Sequence, residues 1–196
     1  MSEAASRPPT ASPEHFDRLY AADPDPWKFA TSEYERDKYA ATLEALPSAH
    51  YARAFEVGCS IGVLTRQLAA RCAAILAVDV AQAALDLAKA RCEGLDHVEF
   101  ARMAVPANWP MGRFDLILFS EVLYYLDNAG RADAARLSLS SLEPGGTLLL
   151  VNWHGPTDGF CTGDAAAEEM IAACAPMLRP IIQHRAERYR LDVLTA

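Results

Sequence analysis

Residues 54–62 have the sequence Ala-Phe-Glu-Val-Gly-Cys-Ser-Ile-Gly, a short apolar strand followed at once by a turn with two glycines. Gly58 and Gly62 allow a tight turn and a close approach of the backbone to a ligand. Asp79 closes the next predicted strand, where a carboxylate can accept hydrogen bonds from both hydroxyls of a ribose. The pattern predicts a strand–loop–helix unit that binds an adenosine-containing cofactor.

Strands and helices alternate from this stretch to the end of the chain. The turn Glu143-Pro-Gly-Gly146 is predicted to precede the fifth strand, and Asp164 to cap the last helix. Repeated βα units predict an α/β fold, a Rossmann-like three-layer α/β/α sandwich with a mostly parallel sheet of about seven strands, the last antiparallel. The predicted strands are 54–57, 74–78, 97–100, 114–120, 147–151, 179–185 and 188–195, and the predicted helices are 63–71, 82–92, 130–142 and 164–175.

The N-terminal region differs from this core. Residues 1–11 are rich in Ala, Ser and Pro without periodicity and are predicted to form a disordered tail. Ser12 and Pro13 then favour a helix start, and Ser32-x-x-Glu35 predicts a capping box for a second helix, which Pro47 ends. We therefore expect one domain over 12–196, with N-terminal cap helices in 12–46 and a cofactor-binding core in 52–196.

Length, charge and composition argue against several classes of binding partner and cofactor. The 196 residues suit one domain, and 18 basic against 26 acidic residues give a net charge of −8, which argues against binding to nucleic acid or an anionic membrane. Neither a long apolar run nor a signal sequence is visible, so a cytoplasmic location is expected. The five cysteines contain no C-x-x-C pair and the histidines lack ligand spacing, so no metal is expected. The oligomeric state stays open.

The spacing in the glycine turn separates the cofactor classes. A dinucleotide motif would place glycines where Ser60 and Val63 stand, and a P-loop would need a lysine that is absent here. Instead Glu56 precedes Gly58 by two residues, and its carboxylate suits an ammonium and a sulfonium but would repel a pyrophosphate. The spacing points to S-adenosylmethionine (SAM).

Several segments resemble class I SAM-dependent methyltransferases. The resemblance is carried by 56–62, by Asp79, by Phe114-Asp-Leu-Ile-Leu-Phe-Ser-Glu-Val-Leu-Tyr-Tyr-Leu126 and by Glu143-Pro-Gly-Gly-Thr-Leu148. Further segments resemble the NodS-type nodulation methyltransferases, namely Asp25-Pro-Trp27, Tyr34-Glu35, Asn152-Trp-His-Gly155 and Thr162-Gly-Asp164. That subgroup N-methylates the deacetylated terminal glucosamine of chitooligosaccharide precursors, so the resemblance implies an amine acceptor on an amino sugar.

The resemblance also implies roles for individual residues. The methionine half of SAM would be surrounded by Glu56, Gly58, Cys59, Ser60 and Gly62, with Ser120 near its ammonium. Asp79 would hold the ribose, and Val80, Met103 and Ala104 would flank the adenine. Ser60 departs from many members, which have glycine there, and the loop would be slightly narrower as a result.

An amine acceptor must lose a proton before it attacks, so a base is expected near it. Glu121 is the first candidate because it follows the buried fourth strand, and His154 is the second, from the equivalent end of the fifth strand. Tyr124 and Tyr125 could orient the acceptor or stack on a sugar. Trp27 and Tyr34 either pack in the cap or help to cover the site.

Three alternatives remain at this stage. The chain could methylate a different small molecule, on oxygen or on nitrogen. It could be a SAM-binding regulatory subunit without activity. A nicotinamide oxidoreductase is disfavoured by the missing glycines.

Overall fold

A computed structural model describes residues 12–196; the predicted tail, 1–11, lies outside the described residues. The helices are α1 (Pro13–Ala22), α2 (Glu33–Glu44), α3 (Val63–Leu68), α4 (Gln82–Arg91), α5 (Asn128–Ser141) and α6 (Gly163–Cys174). The strands are β1 (Ala54–Val57), β2 (Ile75–Asp79), β3 (Val98–Arg102), β4 (Phe114–Ser120), β5 (Leu142–Trp153), β6 (Arg179–Arg185) and β7 (Tyr189–Thr195). Short 3-10 turns follow α3, at Ala69–Arg71, and β4, at Leu123–Tyr125.

The seven strands form one sheet in the order β3-β2-β1-β4-β5-β7-β6. Neighbours from β3 to β5 are parallel, and β7 runs antiparallel to both β5 and β6. The predicted fold class and the antiparallel last strand are therefore confirmed. The strand order reverses between β1 and β4, which places the ligand crevice of such a sheet at the carboxyl ends of these two strands.

Helices pack on both faces of the sheet through apolar side chains, so the fold has three layers. On β4, Leu116 and Leu118 pack into one core cluster with α3 and α4, whereas Ile117 and Phe119 pack into the other with α5 and α6. Successive strand residues point to opposite faces, so a continuous apolar run is what a doubly covered strand requires.

Local sequence signals predict most boundaries of the helices and strands, and the structure corrects four of the predicted features. Ser32 caps α2 through the Glu35 amide, but the Glu35 carboxylate pairs with Lys38 instead of completing a capping box. Thr162, not Asp164, caps α6. The predicted helix 63–71 ends at Leu68 and continues as a 3-10 turn. The turn 143–146 lies inside β5, where Leu142 pairs with Phe114 and Thr147 with Leu116.

Helices α1 and α2 pack over the carboxyl ends of the central strands. Asp17 of α1 accepts a hydrogen bond from the Gln82 amide at the start of α4 and forms an ion pair with Arg102 at 2.8 Å. The Tyr20 hydroxyl of α1 bonds the Ser60 hydroxyl. None of the helices within 12–196 is long and apolar enough to cross a membrane.

Candidate active site

A cavity of about 890 Å³ opens at the carboxyl ends of β1, β2 and β4, beneath α1 and α2. Fourteen of the sixteen residues predicted for the site line it. They are Trp27, Tyr34, Glu56, Gly58, Cys59, Ser60, Asp79, Val80, Met103, Ala104, Ser120, Glu121, Tyr124 and Tyr125. Gly62 and His154 are not among the described residues that do so.

The glycine turn takes a backbone shape that few side chains allow. Gly58 has φ +81°, and a Cβ there would lie 2.2 Å from Val122 Cγ2 and 2.9 Å from the Ser120 carbonyl oxygen. The amides of Gly58 and Cys59 both donate to the Val78 carbonyl, at 2.9 and 3.0 Å, and this ties the turn to β2. A side chain at 58 would fill the narrow space between β1 and β4, so glycine is required.

Ser60 is left-handed as well, with φ +49°. Its amide donates to Asp79 Oδ2 at 2.9 Å, and its hydroxyl meets Tyr20 of α1. These two bonds hold a conformation that is costly for a non-glycine residue. The serine therefore connects the turn to the covering helix, which a glycine could not do.

Gly62 has a different role from the predicted one. Its φ is +75°, and an added Cβ would approach Ala88 Cβ to 2.9 Å and Ala88 Cα to 3.0 Å. Gly62 thus permits the start of α3 to pack closely against α4. The prediction that it borders the cofactor is corrected to a packing role.

Glu56 is a buried carboxyl at the floor of the cavity, with 1% of its surface exposed. Its Oε2 has no hydrogen-bond partner within the described part of the chain. Burial raises the pKa of Glu56 from 4.5 to about 7, and the nearby Asp79 charge adds to the shift, while Thr65 partly opposes it. A buried carboxyl in the cavity lining whose Oε2 lacks a partner fits a cationic ligand group such as the ammonium of SAM.

Asp79 ends β2 with both carboxylate oxygens in use. Oδ2 accepts from the Ser60 amide at 2.9 Å and Oδ1 from the Ala81 amide at 3.0 Å. Burial raises its pKa, and the nearby backbone amides of Ala81, Ser60 and Val80 oppose that shift. Each oxygen keeps a second lone pair, enough for two ribose hydroxyls. Val80, Met103 and Ala104 line the cavity beside it.

Glu121 stands at the end of β4 in the left-handed region, with φ +59°. Its Oε1 accepts from Lys38 Nζ at 2.6 Å. Its Oε2 accepts from the Tyr124 hydroxyl at 2.9 Å and from the Trp153 amide at 2.6 Å. The structure thus brings the predicted base candidate to the cavity and fixes its carboxylate with three donors, one of them a cation.

Lys38 and Glu35 of α2 form a charged cluster with Glu121. Neither residue is predicted from the sequence as part of the site. Lys38 Nζ lies 2.9 Å from Glu35 Oε2, and the two side chains are only 2% and 9% exposed. Charged residues three apart on a helix normally indicate a solvated pair, so the spacing alone predicts nothing more. The signal that could have located them is the pair of flanking aromatics, Tyr34 and Tyr39, which have Lys38 Nζ 5.3 and 6.0 Å from their ring centroids.

His154 does not reach the cavity, which corrects its prediction as a second candidate base. Its Nε2 lies 3.0 Å from the Ala186 carbonyl oxygen, and its amide donates to the Arg188 carbonyl at 3.1 Å. The ring therefore joins the end of β5 to the turn between β6 and β7. Within 12–196, His, Cys, Asp and Glu form no group of three that could hold a metal ion.

Aromatic side chains of the covering segment and of the core contact one another along the cavity. Trp27 stacks on Phe29 at 5.6 Å between ring centroids and meets Tyr20 edge-on at 5.6 Å. Phe16 of α1 meets Tyr125 of the core edge-on at 5.1 Å. The aromatic cluster joins the covering segment to the segment after β4.

Comparison with known proteins gives the family. The sequence model of the family Nodulation protein S (NodS) matches residues 13–186. This chain belongs to the NodS family. It is 34% identical to Nodulation protein S of Bradyrhizobium diazoefficiens over 161 residues, 80% of this chain and 75% of the relative. It is 36% identical to Nodulation protein S of Rhizobium tropici over 166 residues, 82% of this chain and 68% of the relative.

A solved NodS structure supports the fold. N-methyltransferase NodS from Bradyrhizobium japonicum WM9, crystallised with S-adenosyl-L-homocysteine (SAH), matches with a TM-score of 0.79 at 23% identity. The match covers 94% of this chain and 98% of that one. The family match confirms the resemblance drawn from the sequence motifs, and the structural match confirms the fold.

Proposed function

We propose that this NodS-family chain transfers the methyl group of SAM to a free amine on an amino sugar of the chitooligosaccharide type. It is a methyltransferase and uses SAM, in keeping with its family. The acceptor is the part that we add. The observation that carries it is the cluster of Glu35, Lys38 and Glu121 in the lining of the cavity, in which two carboxylates surround a single buried cation.

The residues of the cavity floor fit SAM. Glu56 would face its ammonium, Asp79 would bind the ribose hydroxyls, and Gly58, which packs closely against Ser120 and Val122, would hold the turn beside the methionine half. Cys59, Ser60 and Ser120 would border the same half, and Val80, Met103 and Ala104 the adenine. When bound, SAM supplies an electrophilic methyl group on a sulfonium.

Glu121 would act on the acceptor nitrogen. The lone pair of the acceptor nitrogen would form the new C–N bond while the C–S bond breaks. The electron pair of the C–S bond would stay on sulfur. Positive charge grows on the nitrogen, so a carboxylate beside it stabilises the transition state and can take the proton that leaves. Two donors already occupy Oε2, and Lys38 occupies one position on Oε1, which leaves one acceptor position for the substrate.

Aromatic residues would bind the rest of the acceptor. Tyr124 and Tyr125 lie next to Glu121, and Trp27 and Tyr34 face them from the covering segment. No partner for the Tyr34 hydroxyl is found within 12–196, although the hydroxyl is buried, so a sugar hydroxyl could bond it. Residues 12–46 would form a cap over a core of 52–196 that opens for cofactor exchange and closes to exclude water.

Mass spectrometry of acceptors incubated with the protein and SAM tests this function. The acceptors are a chitooligosaccharide with a free terminal amine, its fully acetylated twin, and a sugar that offers hydroxyls alone. A gain of one or more methyl groups by the free amine only is the expected result. Methylation of the hydroxyl sugar would indicate an O-methyltransferase, and SAH binding without methylation of any acceptor would favour a regulatory subunit.

A further inference from the structure

Lys38 lies on the covering helix α2 but is bonded to the core. Its ammonium is 2.6 Å from Glu121 Oε1 and 2.9 Å from Glu35 Oε2, and only 2% of its side chain is exposed. Glu121 itself is 15% exposed. A buried cation held between two carboxylates is costly unless each charge meets its partner, and here each does.

We infer that Lys38 is a positioning residue for methyl transfer, which keeps Glu35 and Glu121 charged together and holds Glu121 where the acceptor nitrogen binds. The inference rests on the proposed amine acceptor. Lys38 acts through Glu121 and need not touch the substrate.

The charges explain why the lysine is needed. One cation between two carboxylates leaves the cluster with a single negative charge, which can balance a cationic acceptor. Without the cation, two like charges would share a buried site, and one of them would take up a proton. Burial alone lowers the pKa of Lys38, but the charges of Glu121 and Glu35 outweigh it and raise that pKa, so the ammonium stays charged.

Other groups around the cluster leave this balance in place. They are Tyr34 and Tyr39 on α2, Glu56 on β1, Tyr124 after β4, and Arg188 and Tyr189 at the start of β7. The pKa values of all four tyrosines are raised, first by burial, so the phenols are neutral. The Arg188 guanidinium lies 5.5 Å from the centroid of the Tyr34 ring. Lys38 is thus the cation that bonds both carboxylates.

The geometry of Glu121 depends on the same contact. Tyr124 and the Trp153 amide hold Oε2, and Lys38 holds Oε1. Loss of Lys38 would free one oxygen and allow the carboxyl to rotate about its fixed end. Both the charge and the orientation of Glu121 therefore rest on a residue of the covering helix.

The test compares kcat and KM for the free-amine chitooligosaccharide across pH in the wild type, Lys38→Met, Lys38→Arg and Glu35→Gln. Lys89→Met, an exposed lysine on α4, is the matched control. Lys38→Met should move the acid limb of the kcat profile up by at least about one pH unit, a loss of about tenfold or more below that limb. Glu35→Gln should move the limb down because a like charge is removed.

Lys38→Arg should return the limb to the wild-type position, and Lys89→Met should match the wild type throughout. SAH affinity, measured by calorimetry, should change less than about threefold in every variant, since the cluster lies on the acceptor side. Limbs that coincide in the wild type, Lys38→Met and Glu35→Gln would overturn the inference. If Lys38→Met does not fold, the comparison of Glu35→Gln with the wild type is the test. An acid limb that Glu35→Gln leaves unmoved would then overturn the inference.

The two proposals fail in different ways. Methylation of the free amine by the wild type with identical limbs in all variants refutes only the role of Lys38. A wild type that binds SAH and leaves the amine unmethylated refutes the proposed acceptor, and the role of Lys38 with it.

Discussion

Substitution of Glu56 by glutamine should have opposite effects on stability and on cofactor binding. In the folded protein, the pKa of this buried carboxyl is about 7, raised from 4.5 mainly by burial. A carboxyl whose pKa is raised by folding favours the folded state while it is protonated. It loses that contribution as pH rises from the lower value to the higher one.

The two pKa values differ by about 2.5, which corresponds to about 3 kcal/mol of unfolding free energy. The full contribution is present below pH 4.5 and is gone above about pH 7. Glutamine cannot ionise and therefore escapes this loss. Relative to the wild type, Glu56→Gln should gain up to about 3 kcal/mol of unfolding free energy between about pH 5 and about pH 8.

Cofactor binding should change in the other direction. The ammonium of SAH would draw Glu56 into its ionised form, so binding near neutral pH should release a proton from the wild type. Without this charged contact, SAH affinity should fall about 10- to 100-fold, equivalent to about 1.5–3 kcal/mol.

Urea unfolding of the ligand-free protein at both pH values measures the first effect. Calorimetry with SAH in buffers of different ionisation enthalpy measures affinity and the number of protons released. Glu99→Gln, the same change at an exposed position on β3, is the control. An unfolding difference that does not vary with pH, together with unchanged SAH affinity and proton release, would refute the role assigned to Glu56.

Three further substitutions test other parts of the site. Gly58→Ala should weaken SAH binding more than about tenfold by calorimetry, because its Cβ would clash with neighbouring atoms. The control is Gly94→Ala, at φ +83° with no described atom within 4 Å of the new Cβ, which should lose about 1 kcal/mol of stability and no affinity. Equal SAH affinities of the two variants would contradict the glycine requirement. Glu121→Gln should lower kcat at least about 100-fold and change SAH affinity less than about threefold, and an unchanged kcat would assign Glu121 to structure. His154→Ala should leave kcat within about twofold and cost about 1 kcal/mol of unfolding free energy through its lost bond to Ala186; a large fall in kcat at constant stability would return the histidine to the site.

The sequence was sufficient for the repeating βα core because its signals are local. The apolar run of β4 and the glycines of the turn after β1 each constrain their own segment, and the structure places both close to where the patterns predict. Asp79 could be located in the same way, since it ends the strand next to β1 and the ligand crevice lies at the carboxyl ends of the strands beside the switch point.

Contacts between segments that are distant in the sequence could not be predicted from local patterns. Lys38 and Glu121 are 83 residues apart, and only the packing of α2 on the sheet brings them together. The prediction for His154 was wrong for a related reason, because the turn between β6 and β7 supplies the carbonyl that holds its ring. Gly62 matched a binding motif by spacing alone, whereas its neighbour Ala88 gives it a packing role.

The most direct measurement follows the methyl carbon itself. The protein is incubated with SAM carrying a ¹³C methyl group and a chitooligosaccharide whose free terminal amine is ¹⁵N, and the product is examined by NMR. The expected result is a methyl signal with one-bond coupling to ¹⁵N, absent from the fully acetylated twin. A labelled methyl group without nitrogen coupling, or no labelled product from a protein that binds SAH, would contradict transfer to the amine.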